Sequence, residues 1–156
     1  SDKPVRTRTD KLATQAMMPE GAYGLEGALY FSRVETYVTL NNPNNTAFKP
    51  TGEYLELLPV THPADIIENN ETEFKLLFKG KPAKNVEVSV VREGTLYRNA
   101  IEAIELKSDK KGIITFTPPK AGRYLLHATY EKELKDNKLA DKMVNTIFLT
   151  FEAGLE

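Results

Sequence analysis

Cysteine and tryptophan are missing from the 156 residues, and histidine occurs only twice. The lack of cysteine excludes disulfides, thiolate metal ligands and cysteine nucleophiles together, and it is compatible with either the cytoplasm or the bacterial periplasm. Apolar runs are no longer than a strand, so no segment has the length of a membrane-spanning helix. Charge of one sign is also lacking. The 21 Lys and Arg residues are scattered among 22 Asp and Glu, which leaves no basic surface of the kind that a phosphate backbone requires, and nucleic acid is not an expected partner. The nine glycines are dispersed at turns rather than gathered in a phosphate loop. No Gly-x-Ser-x-Gly elbow occurs, and neither histidine has an evident Ser and Asp context. Glu102 and Glu105, or Glu131 and Glu133, read as solvated faces rather than paired catalytic carboxylates. The expectation is a protein that is not an enzyme.

What is present is a pattern of short strands. Up to Gly27 the chain mixes Pro19, Gly21 and Gly24 with brief apolar stretches and reads as loop, with one helical turn near Lys11 to Met18. From Ala28 the pattern turns to period two, Val34, Thr36, Val38 and Leu40 falling on one face and Glu35, Tyr37 and Thr39 on the other. Asn41-Asn42-Pro43-Asn44-Asn45 and Lys49-Pro50-Thr51-Gly52 are turn-rich, and they place the main domain boundary near residue 50. Beyond it, strands are expected over Tyr54 to Val60, Thr72 to Lys79 with Phe74, Leu76 and Phe78 inward, Val86 to Val90, Ile101 to Leu106, Ile114 to Phe116, Gly122 to Tyr130, and Val144 to Phe151. Ser108-Asp109-Lys110-Lys111-Gly112 is expected to make a hairpin turn into Ile114. About seven such strands without a strong amphipathic helix predict an all-β fold, an Ig-like or transthyretin-like antiparallel β-sandwich. The sandwich would occupy 51–154, with 1–50 an N-terminal extension or the remnant of an upstream β domain.

The succession Leu55-Glu56-Leu57-Leu58-Pro59-Val60-Thr61-His62-Pro63, Phe78-Lys79-Gly80-Lys81-Pro82-Ala83 and Val86-Glu87-Val88 resembles an uncharacterised bacterial periplasmic family. That family is sometimes labelled the periplasmic component of nickel or cobalt transport. Ser108-Asp109-Lys110-Lys111-Gly112 and Pro119-Lys120-Ala121-Gly122-Arg123-Tyr124 resemble its later turns, and the likeness covers roughly residues 29 to 152. These are turn and core motifs, shared in looser form with other transthyretin-like sandwich domains, so they speak to fold more than to function. The histidine and aromatic motif with which members of the family begin has no counterpart here, which would make this chain the family's second domain. The resemblance implies a periplasmic location, an envelope protein or transport component as partner, and nickel or cobalt as cargo. The chain opens in a polar stretch with no signal peptide ahead of Ser1, as an internal point of a longer protein would.

Metal binding needs imidazoles or carboxylates converging at fixed geometry. His62 and His127 are the candidate ligands, with Asp65, Glu131 or Glu133 as oxygen donors if the sandwich brings them together. A Pro-rich turn around His62 and the more polar face of a strand around His127 offer a plain structural reading of both. Tyr124, two residues after a turn glycine, reads either as a tyrosine corner or as a core side chain. Tyr23, Tyr30, Tyr37, Tyr54 and Tyr97 are candidates for an aromatic binding surface or for scattered edge positions. A non-catalytic binding or accessory module is the expected function, with a structural or protein–protein interaction domain of the cell envelope as its rival.

Overall fold

The computed structural model describes residues 4–156. After a short helix α1 (Lys11–Ala16) come nine strands: β1 (Ala28–Thr36), β2 (Leu55–Pro59), β3 (Thr72–Phe78), β4 (Lys81–Pro82), β5 (Glu87–Arg92), β6 (Ile104–Lys107), β7 (Ile113–Phe116), β8 (Gly122–Glu133) and β9 (Lys142–Ala153). They form two sheets, one of five strands in the order β1-β9-β8-β5-β6, the other of four with β2-β3-β4 in line and β7 also on β3. An all-β sandwich was the expected class, with nine strands in place of about seven. Contacts divide the chain into two compact units. The first holds the described residues up to Phe31 together with Glu131–Val144, and the second holds Ser32–Tyr130 and Asn145–Glu156.

The first unit is organised by Asp141. Its carboxylate accepts the Gly27 N–H at 2.8 Å and the Lys11 ammonium, while its own N–H donates to the Gly27 carbonyl at 2.8 Å. The Gly27 hydrogen bond, then Lys11, holds the Asp141 carboxyl below its ordinary pKa. The helix α1 is started by Asp10, whose side chain accepts from Ala13 N at 2.8 Å. It falls inside the expected Lys11 to Met18 stretch.

In the second unit the expected inward residues form the core. Phe74, Leu76, Ile114, Val86, Val88, Val90, Leu126, Ile147 and Leu149 are all buried, and Phe74, Phe116, Tyr124 and Phe151 make a continuous aromatic cluster with ring centroids 5.4–6.2 Å apart. The register Leu57↔Leu76 on β2–β3 and Val88↔Ala128 on β5–β8 puts these apolar positions on common faces.

Two expectations are corrected. The turn at 108–112 is tight, Gly112 N donating to Asp109 O at 3.1 Å, yet it does not join a hairpin. β6 pairs with β5 and β7 pairs with β3, so the turn carries the chain from one sheet to the other. Buried Ser108 fixes this crossing by donating to the Ala83 carbonyl at 2.7 Å and accepting from Val86 N at 2.9 Å. Gly112, at φ +77°, lies so close to β3 that a Cβ there would be 2.3 Å from the Leu76 carbonyl oxygen.

The second correction concerns β1. It spans Ala28–Thr36 and not the stretch to Leu40; within it Val34 is 78% exposed, and beyond it Val38 and Leu40 are 87% and 83% exposed. The half-buried side carries Leu29, Phe31 and Glu35, continued by Tyr37 beyond the strand. Tyr37 donates to Glu35 Oε2 at 3.0 Å and packs edge-on against Phe48, and Glu35 ion-pairs with Arg33. β1 itself, although it lies before residue 50, is bonded to β9.

Candidate functional site

A cleft of about 670 Å³ opens in the second unit. Its walls are the ends of β5, β8 and β9, the last residue of β1, Thr36, with Tyr37 and Thr39 beyond it, and the turn at Pro63–Ala64. The β5–β8 register pairs Val91 with Leu125 and Arg92 with Tyr124, and both Arg92 and Arg123 line the cleft.

The two arginines differ in what they already hold. Arg123 grips Glu93, its Nε and Nη2 lying 2.9 and 2.8 Å from Glu93 Oε2. With the Arg123 backbone N–H on Oε1 at 3.1 Å as well, the Glu93 carboxyl is held below its ordinary pKa, the backbone hydrogen bond contributing most. Arg92 donates through Nε to the Ala121 carbonyl at 3.2 Å. Among the described residues no carboxylate forms an ion pair with it. Gly122 permits this arrangement, because a Cβ at that position would stand 3.2 Å from Glu93 Oε1 and 3.4 Å from Arg92 Nε.

Tyr124 is a tyrosine corner. Its hydroxyl donates to the Lys120 carbonyl at 2.5 Å, and its ring stacks on Phe151 with centroids 5.4 Å apart. Burial pushes its pKa up. Beside the cleft, Tyr37 is held protonated by burial first, then by the charge and hydrogen bond of Glu35, which raise its pKa far above the usual tyrosine value. Of the remaining tyrosines, Tyr23, Tyr30 and Tyr97 are each strongly exposed, and Tyr54 is partly so.

His62 leads into the cleft wall at Pro63–Ala64. Its Nδ1 accepts from Ala64 N at 3.1 Å, so Nε2 carries the proton that faces the Asn44 carbonyl at 3.1 Å, and Phe48 packs against the ring at 5.4 Å. His127 lies on the outward side of β8, its Nε2 3.2 Å from Thr129 Oγ1 and its ring stacked on Phe148 at 4.7 Å. Asp65, Glu131 and Glu133 neither hydrogen-bond nor ion-pair with either imidazole. Among the described residues no group of three or more His, Asp or Glu side chains is placed to hold a metal ion.

A further polar centre escaped sequence reasoning. Glu56, in the middle of β2, is only 2% exposed and accepts from Thr51 N, Thr51 Oγ1 and Gly52 N at 2.7–2.9 Å, with Arg33 Nη1 3.7 Å away. Burial raises its pKa, but the Thr51 and Gly52 hydrogen bonds, helped by Arg33, outweigh burial and the net shift is downward. It fixes the loop before β2 rather than presenting a reactive group.

The sequence profile of a family described as "Domain of unknown function (DUF4198)" matches residues 3–132. The chain belongs to this family. No curated protein and no solved structure matches it. Family membership thus leaves the chemistry of this DUF4198 chain to its own residues, and the cleft lining sets Arg92 and Arg123 among the carboxylates of Glu93 and Glu152. No helix among the described residues is long and apolar enough to cross a membrane.

Proposed function

We propose that this chain is a non-catalytic binding module of the cell envelope, located in the periplasm, which holds a small carboxylate-bearing ligand in the cleft against Arg92. The observation that carries the reading is a guanidinium in a concave site with a single backbone acceptor and no ion pair of its own, the nearby Glu93 carboxylate, on which its charge acts, being gripped by Arg123. A planar carboxylate suits such a group, because two parallel N–H donors remain to meet its two oxygens. Thr39, Thr95 and Thr150 at the same walls add hydroxyl groups.

In the transition-metal uptake that the sequence resemblance suggests, nickel or cobalt would be the cargo. His62 and His127 do not fit a preformed metal cage, since the ring nitrogens of His62 are engaged by Ala64 and Asn44 and neither imidazole has a carboxylate beside it. A metal carried by its own carboxylate chelator fits the cleft better. Calorimetric titration with nickel, cobalt and zinc, each alone and with citrate, tests this against variants Arg92→Ala and His62→Ala/His127→Ala. Binding that needs citrate and is lost with Arg92→Ala supports the cleft. Binding of the free ion that is lost with the double histidine variant overturns it and returns the site to the histidines.

The second reading, an interaction domain for another protein, is favoured by one observation. β1 is an edge strand whose outward side, carrying Tyr30, Ser32, Val34 and Thr36, is exposed.

A further inference from the structure

The five-stranded sheet has two edges of opposite character. β6, at one end, has four residues and carries Glu105 and Lys107, the short charged edge that discourages added strands. β1, at the other end, runs nine residues and places Val34 outward, with exposed Val38 and Leu40 continuing the apolar stripe. An unpaired edge of this kind is a template for strand addition. We infer that a second copy of this chain pairs antiparallel with β1 over Ser32–Thr36, about a two-fold axis through Val34. The inference is independent of the cleft.

Symmetry and charge select the partner and the register. Hydrogen-bonded and non-hydrogen-bonded pairs alternate along an antiparallel ladder, so two identical strands related by a two-fold axis must have one residue facing its own copy. A centre at Arg33 sets two guanidiniums opposite each other, and a centre at Glu35 sets two carboxylates opposite. A centre at Val34 sets Val34 against Val34, Ser32 against Thr36, and Arg33 against Glu35 twice over. Opposite charges directly across a ladder stabilise it and like charges destabilise it, so of these three registers the middle one is self-complementary. Arg33 and Glu35 already ion-pair within one chain, so pairing would produce four charges alternating in sign along one side of the ladder. On the other side the Val34 pair would cover apolar surface that is 78% exposed in the single chain.

The absence of cysteine makes the register directly readable. Residues facing each other across an antiparallel ladder have Cα atoms about 4.5–5.5 Å apart, within the span of a disulfide. Mild oxidation of Val34→Cys should therefore yield a covalent dimer. Ser32→Cys, whose own copy would lie four positions along the ladder, should yield about tenfold less under the same conditions. Sedimentation equilibrium of the unsubstituted chain should show a reversible dimer whose dissociation constant rises roughly tenfold or more in Val34→Lys. A chain that stays monomeric at every concentration, a dimer indifferent to Val34→Lys, or equal cross-linking of the two cysteine variants would each overturn the pairing.

Discussion

Glu56 shows at the scale of one side chain how this fold tolerates a buried charge. Three donors from Thr51 and Gly52 surround its carboxylate, and removing that charge-assisted set should cost about 1–3 kcal/mol. Glu56→Gln keeps the shape and loses the charge, so urea denaturation should show a lower midpoint with an unchanged slope. The pH dependence follows from the downward shift. A carboxyl whose folded pKa lies below its ordinary value of 4.5 contributes its stability fully above that value and loses it as pH falls through the folded pKa. The midpoint difference between the parent chain and Glu56→Gln should therefore be present at neutral pH and shrink on acidification below about 4. A constant difference would show that the effect lies in packing rather than charge. Nothing in the run Leu55-Glu56-Leu57 marks the glutamate as buried, since a charged residue between two leucines is the usual sign of an outward position. Its partners come from a loop whose path the sequence does not dictate.

Among the elements, β3, β5, β8 and β9 were legible because each has one side in the aromatic core, so alternation of apolar and polar residues reports burial directly. β1 alternates as clearly, yet its alternation did not say which face is covered. Period two says that the two sides differ, not which side is covered, and in β1 the covered side meets Phe48 and the loop anchored by Glu56. The turn at 108–112 was legible as a turn but not as a crossing, because aspartate-to-glycine turn chemistry is the same whether the next strand returns beside the last or leaves for the other sheet. Two substitutions test the crossing. Ser108→Ala leaves Val86 N without its acceptor and Ala83 O without its donor, and should destabilise the chain by about 1–3 kcal/mol. Gly112→Ala should cost more than the roughly 1–2 kcal/mol of the left-handed backbone alone, since the added Cβ meets the Leu76 carbonyl. Thermal or urea unfolding of both variants checks the order of the two effects.

The whole molecule brings together residues that lie far apart in sequence: Thr36–Thr39, Pro63, Arg92, Arg123 and Thr150 converge on one cleft. That convergence explains why the candidate site was hidden while the two histidines stood out. Histidine is rare and chemically distinctive in this chain, whereas Arg92 is one of 21 basic residues and acquires its meaning only from what surrounds it. Arg92, which has a backbone acceptor and no ion pair of its own, and the exposed Val34 on the edge strand β1 are two places open to a partner. They point to small-ligand binding and to self-pairing respectively, and the two can be tested apart because they share no residue other than Thr36. The central claim is the ligand site at Arg92. It is tested most directly by nuclear magnetic resonance titration of the isotopically labelled chain with citrate, following the backbone amides of Glu93, Thr95, Arg123 and Thr150. Saturable shifts confined to those amides and abolished in Arg92→Ala are the expected result. Shifts that are absent, or that persist unchanged in Arg92→Ala, would contradict it.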